Sequence, residues 1–121
     1  MRRSSASPVY ARSKIWLDLD GRVALSEWRI HLLEAVGEAG SLAAAAQRLG
    51  VPYRTAWYKL REIEDRLGTR LLEGHSGGSD GGHMTLTPEA RDIIRRFHRV
   101  SNGVAELVQS RFRTEFPELS R

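Results

Sequence analysis

The segment Leu49-Gly50-Val51-Pro52 constrains this chain more than any other. Before it, Leu42, Ala45, Ala46 and Leu49 recur at helical spacing behind Ser41, a residue type suited to N-capping. After it, Ala56, Trp57, Leu60, Ile63 and Leu67 recur at the same period, with Pro52 at the helix start, where a missing N–H costs nothing. Gly50 supplies the left-handed backbone of a tight turn, Val51 plugs the angle, and Ala45 and Ala46 let the next helix approach closely. Two helices joined in this way make a helix-turn-helix; the plain alternative is a helical hairpin with no ligand.

The flanking segments favour the first reading. A Lys14–Asp20 stretch alternates, with Ile15, Leu17 and Leu19 on one side, and predicts a strand with one buried face. Gly21-Arg22 predicts a turn and Val23–Leu25 a short return strand. Ser26 and Glu27 open a first helix with Trp28, Leu32, Ala35, Val36 and Ala39 on its apolar side, ended by Gly40. Gly68 stops the third helix. Arg70–Glu73 and His83–Leu86 then predict a hairpin around a tip in which five of nine residues, 74–82, are glycine. Thr87-Pro88-Glu89 starts a last helix. Its apolar residues Ala90, Ile93, Phe97, Val100, Val104 and Leu107 step by three and four, a coiled-coil period that predicts dimerisation. The expected fold is mainly α: a winged helix-turn-helix with a short N-terminal strand, a two-stranded Gly-rich wing and a long C-terminal dimerisation helix. The expected divisions are a flexible basic arm at 1–13, the winged domain at 14–87, and the dimerisation helix and tail at 88–121.

Composition narrows the function. The 121 residues suit one domain. With no cysteine, disulfides, thiolate zinc sites and cysteine nucleophiles are excluded. No apolar run suits a membrane span and no signal peptide opens the chain, so a cytoplasmic location is expected. The net charge is +4 and the pI about 10.1. Of nineteen basic residues only Lys14 and Lys59 are lysines. Guanidinium groups match phosphate and guanine edges in two-point fashion, although genome composition also enriches arginine.

Burial of Ala56, Leu60 and Ile63 leaves an outer face on the third helix, taken as a recognition helix over 52–67. Its N-terminal residues Tyr53, Arg54 and Thr55 are the candidates for base contacts. Tyr58 and Lys59 lie one turn on, within reach of a base or phosphate. Arg61 and Arg66 fit phosphate binding or pairing with Glu62, Glu64 and Asp65. Ser41, at the cap of the second helix, completes the candidate DNA-binding set. Trp57 is expected in the core. Arg91, Arg95, Arg96 and Arg99 read either as a polar face beside the heptad seam or as part of a phosphate footprint. His75, Asp80 and His83 match no established metal spacing, no nucleophile–base set is readable, and the glycine-rich tip lacks the Lys-Ser or Lys-Thr of a nucleotide-binding loop. No enzyme and no cofactor are expected.

The run from Gly40 to Trp57, above all Tyr53-Arg54-Thr55-Ala56-Trp57, resembles the N-terminal DNA-binding domain of the ModE family of molybdate-responsive regulators. So do the Gly77–Gly82 tip and Leu86-Thr87. Ala45-Ala46, Leu67-Gly68 and Leu86-Thr87-Pro88 resemble the wider LysR-type domains. The resemblance covers about Lys14 to Val108. It implies a winged-helix homodimer reading a palindromic operator in adjacent major grooves, with Tyr53, Arg54, Thr55, Tyr58 and Lys59 in the recognition surface. In full-length ModE members molybdate is bound by a separate β-rich C-terminal domain. These 121 residues hold no such domain, so molybdate is not carried over and any small-molecule effector is left open. The wing tip also departs from a cationic wing, with Asp80 and no Arg or Lys between Gly74 and Met84. The expected function is sequence-specific binding of double-stranded DNA as a homodimeric transcription regulator. The rivals are a low-specificity architectural DNA-binding protein and a protein-interaction module.

Overall fold

The structure, a computed structural model, describes residues 7–75 and 83–120. The elements run β1 (Trp16–Leu19), β2 (Arg22–Ser26), α1 (Glu27–Ala39), α2 (Leu42–Leu49), α3 (Tyr53–Leu67), β3 (Leu72–His75), β4 (His83–Leu86) and α4 (Pro88–Glu115). They fall into two compact units, residues 15–97 and residues 1–14 with 98–121.

The first unit holds the three-helix core. Ser26 Oγ accepts the Arg29 N–H at 3.2 Å and Ser41 Oγ accepts the Ala44 N–H at 3.0 Å, so both helices start at side-chain caps. All three helices end on left-handed glycines, Gly40, Gly50 and Gly68. At Gly50, with φ 71°, the backbone closes α2 while Val51 N–H bonds back to Ala46 O at 3.0 Å. Ile30, Leu32, Leu33, Val36, Ile63 and Leu71 are fully buried, and Ala45, Ala46 and Ala56 fill the narrow gap between α2 and α3. Gly37 serves a different close approach: a Cβ there would lie 2.7 Å from Leu86 Cδ1 of the wing.

β1 departs from expectation. All four of its residues are exposed, and Leu17 and Leu19 do not face a core. The pairing is irregular between Leu17 and Asp18, where Leu17 faces Leu25 and Asp18 faces Val23, so that Ala24 is the extra residue on β2. The burial falls instead on Ala24 and Leu25 of β2, and Ile15 packs from just before the strand. The turn lies at Asp20-Gly21, both with positive φ, one residue earlier than expected.

β3 and β4 pair antiparallel, with Leu72 opposite Leu86. β3 begins two residues later than the pattern suggests, because the backbone of Arg70 and Leu71 is otherwise engaged. Leu71 N–H donates to Glu64 Oε2 at 2.9 Å. Leu71 O accepts the Thr87 N–H at 3.0 Å and Arg70 O accepts the Thr87 hydroxyl at 2.8 Å. Thr87 Oγ1 then accepts the Ala90 N–H and so caps α4. Gly74 and His75, expected at the start of the Gly-rich tip, extend β3 instead, paired with Met84 and His83; the rest of the expected tip, 76–82 with Asp80, lies outside the described residues.

In α4 the heptad residues divide. Ala90 and Phe97 are buried and Ile93 half-buried in the first unit, whereas Val100 and Leu107, in the second, are 51% and 56% exposed. Within the expected basic arm, 1–13, two backbone N–H groups of the described residues have partners. Val9 N–H donates to Leu119 O and Ala11 N–H to Gln109 Oε1, both at 2.8 Å, so this segment is pinned along the end of α4 and the following tail. Residues 1–6 lie outside the described residues.

Candidate nucleic-acid interface

α3 carries most of the candidate residues, and its two flanks differ in kind. One flank is tied down by charge. Arg29 of α1, only 6% exposed, donates to Glu62 Oε2 at 2.7 Å. Arg66 approaches the same carboxylate at 3.6 Å and also hydrogen-bonds Val23 O of β2, while Lys59 Nζ stands 3.9 Å away. Three cations thus converge on Glu62. The Arg29 hydrogen bond, assisted by the three positive charges, holds its carboxyl below the ordinary value despite some opposing desolvation. This network links α3 to α1 and β2, and so sets how α3 is rolled about its own axis.

The other flank and the outer face are open. Tyr53 and Tyr58 are each 54% exposed and Arg54 is exposed. Thr55 and Lys59 are half-buried towards the tied flank, and Lys59 shares Glu62. Pro52 occupies the N-cap position and makes no side-chain cap bond, which leaves the first N–H groups of α3 without a capping side chain. Ser41 spends its oxygen lone pair on capping α2, and its hydroxyl is half-buried. The structure therefore brings Tyr53, Arg54, Tyr58 and Arg61 onto one accessible surface. Thr55 and Lys59 stand at its margin, and Ser41 belongs to a different helix end.

Trp57 corrects the sequence expectation. It is 41% exposed, because Ala56, Leu60 and Ile63 complete the core stripe and leave position 57 on its shoulder. Its ring meets Tyr58 edge-on at 5.3 Å, and the Arg61 guanidinium lies over it at 5.6 Å. Arg61 also stands 3.8 Å from Glu64. Beside Trp57 an open groove of about 570 Å³ runs between α3 and the wing, lined among others by Leu42, Arg61, Arg70, Leu72 and Met84.

Arg29 and its partnership with Glu62 were not anticipated. The available signal was a cation beside the apolar Ile30, Leu32 and Leu33, which calls for a counter-charge if it is buried. Arg66 takes the pairing role that the sequence allowed it. On α4, Arg95 and Arg96 pair with Asp92 and Arg91 bonds Leu86 O, all at exposed sites. Among the described residues no group of His, Asp or Glu is placed to hold a metal, and no helix is long and apolar enough to cross a membrane.

Residues 28–91, over half the chain, match the model of the bacterial regulatory helix-turn-helix proteins, lysR family. The molybdenum-pterin-binding protein MopB of Rhodobacter capsulatus is 34% identical over 82 residues, covering 68% of this chain and 30% of that protein. The DNA-binding transcriptional dual regulator ModE of Escherichia coli strain K12 is 28% identical over 89 residues, covering 74% of this chain and 34% of its own. A crystal structure of a CbnR DBD–DNA complex is similar with a TM-score of 0.53 at 28% identity, covering 73% of this chain and 94% of that one. The chain spans about a third of the length of the curated relatives it matches.

Proposed function

This chain belongs to the LysR family of bacterial regulatory helix-turn-helix proteins, DNA-binding transcription regulators, and we propose that it binds a palindromic operator as a homodimer, with α3 in the major groove. The observation that carries the reading is the charge and exposure of α3. From Tyr53 to Arg61 the helix bears Arg54, Lys59 and Arg61 and no acidic residue; the acids Glu62, Glu64 and Asp65 all follow. A surface cationic only over the first half of a helix suits a polyanion approached by that end.

In this reading Tyr53, Arg54 and Thr55 meet base edges, and Tyr58 and Lys59 reach a base or phosphate one turn on. Ser41, at the start of α2, and Arg61 contact the sugar–phosphate backbone. The exposed Val100 and Leu107, with half-buried Val104 between them, support pairing through the second half of α4. A two-fold dimer would place two α3 helices about one DNA turn, roughly 34–36 Å, apart. The CbnR complex with DNA supports a nucleic-acid partner. The names of the molybdenum-linked relatives supply no effector, since only about a third of their length is shared.

Selection of duplexes from a random library, run in parallel with Arg54→Ala, tests this. A recovered palindrome with half-sites one helical turn apart, weakened or relaxed at one position in the variant, is expected. The absence of any enriched motif would overturn it.

A further inference from the structure

Trp57 is a side chain that the reading of α3 leaves unused, and it forms a unit with Arg61, already assigned there to the sugar–phosphate backbone. An indole 41% exposed on a helix surface is braced by Tyr58 on its edge, and its ring carries the Arg61 guanidinium. The brace fixes a side chain that would otherwise rotate freely. Arg61 gains orientation from the ring, while its acidic neighbour Glu64 stands at 3.8 Å, beyond hydrogen-bond distance, and leaves its donors largely unused. Trp57 and Arg61 are one turn apart on one side of α3 and line the groove towards the wing, where Arg70 adds a second cation. The groove is lined by the apolar Leu42, Leu60, Leu72 and Met84, and Glu64 and Asp65 also line it.

We propose that Trp57 and Arg61 together clamp one strand of the duplex by its sugar–phosphate backbone: the indole packs against a deoxyribose and holds the guanidinium to bond the adjacent phosphate. This rests on the reading of α3 as the DNA-facing helix and adds a residue to it. The occupant is a phosphodiester strand because the site offers one apolar face and one forked cation side by side. That pairing matches the alternation of sugar and phosphate along a nucleic-acid backbone. Trp57 is then a positioning residue for Arg61 as well as a contact in its own right, and the clamp carries affinity without sequence preference.

Two measurements test it on the full chain with a selected duplex. In the first, affinity is followed against salt for the wild type, Trp57→Ala, Arg61→Ala and the double variant, each checked for folding by its thermal transition. Arg61→Ala is expected to lower affinity about tenfold and flatten the salt dependence by about one phosphate contact. Trp57→Ala is expected to do nearly the same, and the double variant little more. All should retain the wild-type sequence preference. Additive losses, or Trp57→Ala binding with the wild-type affinity and salt slope, would overturn the clamp. The second measurement guards against a misfolded Trp57→Ala. A Trp16→Phe, Trp28→Phe variant leaves Trp57 as the sole tryptophan, and acrylamide quenching is followed with and without DNA. Protection of Trp57 by DNA is expected; binding with quenching unchanged would overturn the clamp alone. A wild type that binds no duplex overturns the underlying reading as well, so the two failures are distinguishable.

Discussion

Arg29 shows how a single buried charge organises a surface several residues away. Its side chain is buried, and its Nη1 has no acceptor among the described residues. Glu62 is thus its main compensation. Removing the acid while leaving the cation in place is the costly change: Glu62→Ala is expected to destabilise the fold by about 1–2 kcal/mol, a buried-pair loss discounted because Glu62 is 37% exposed. Arg29→Met, which removes the charge that needs a partner, should cost less. Urea denaturation of the two variants gives the comparison, and an equal or larger loss in Arg29→Met would contradict it. The same pair makes stability sensitive to acid. The folded carboxyl is held below its ordinary value, so this contribution is present above about pH 4.5 and is lost as pH falls through the lower folded value. Glu62→Gln should therefore show a flatter decline in stability below that pH than the wild type.

At the level of elements, the turns and caps were the most legible part of the chain. Ser26, Ser41, Gly40, Gly50 and Gly68 mark helix ends in the sequence and stand at those ends in the structure, because capping is decided by groups a few residues apart. Gly50 makes the point testable. Its φ of 71° is left-handed and a Cβ there would meet nothing within 4 Å, so Gly50→Ala is expected to cost about 1–2 kcal/mol from backbone strain alone. Gly50→Asn should recover part of it, and thermal unfolding checks both. Tertiary detail was less legible. The core stripe of α3 was found, but Trp57 was added to it, because apolar spacing alone cannot tell a shoulder position from a buried one. The strand before α1 was recognised, yet the exposure of all four β1 residues leaves no mark in the alternation, because it depends on what packs against the strand. For the interface, Tyr53, Arg54 and Tyr58 fall on open surface as their spacing suggests. The Arg29–Glu62 pair joins residues thirty-three apart in sequence, and no local pattern encodes it, whereas Lys59 meets Glu62 as a local i,i+3 neighbour.

For the molecule as a whole, the division of α4 matters most. Its first residues, Ala90 and Phe97, complete the core of the first unit, while the continuing heptad positions Val100 and Leu107 are open. An apolar seam of this kind is expected to pair with its copy. Leu107→Glu should therefore shift sedimentation from dimer to monomer while leaving the circular dichroism of the folded chain unchanged. It should also weaken operator binding more than binding to a single half-site. An unchanged sedimentation coefficient would contradict pairing through this seam.

We propose that α3 reads sequence on duplex DNA. It is tested most directly by measuring the dissociation constants for a selected operator and for a scrambled duplex of the same length, at physiological salt. A regulator of this kind is expected to prefer the operator by about a thousandfold or more, with both affinities falling steeply as salt rises. Equal affinities for the two duplexes, whatever their magnitude, would contradict the account and leave a protein that binds DNA by charge alone.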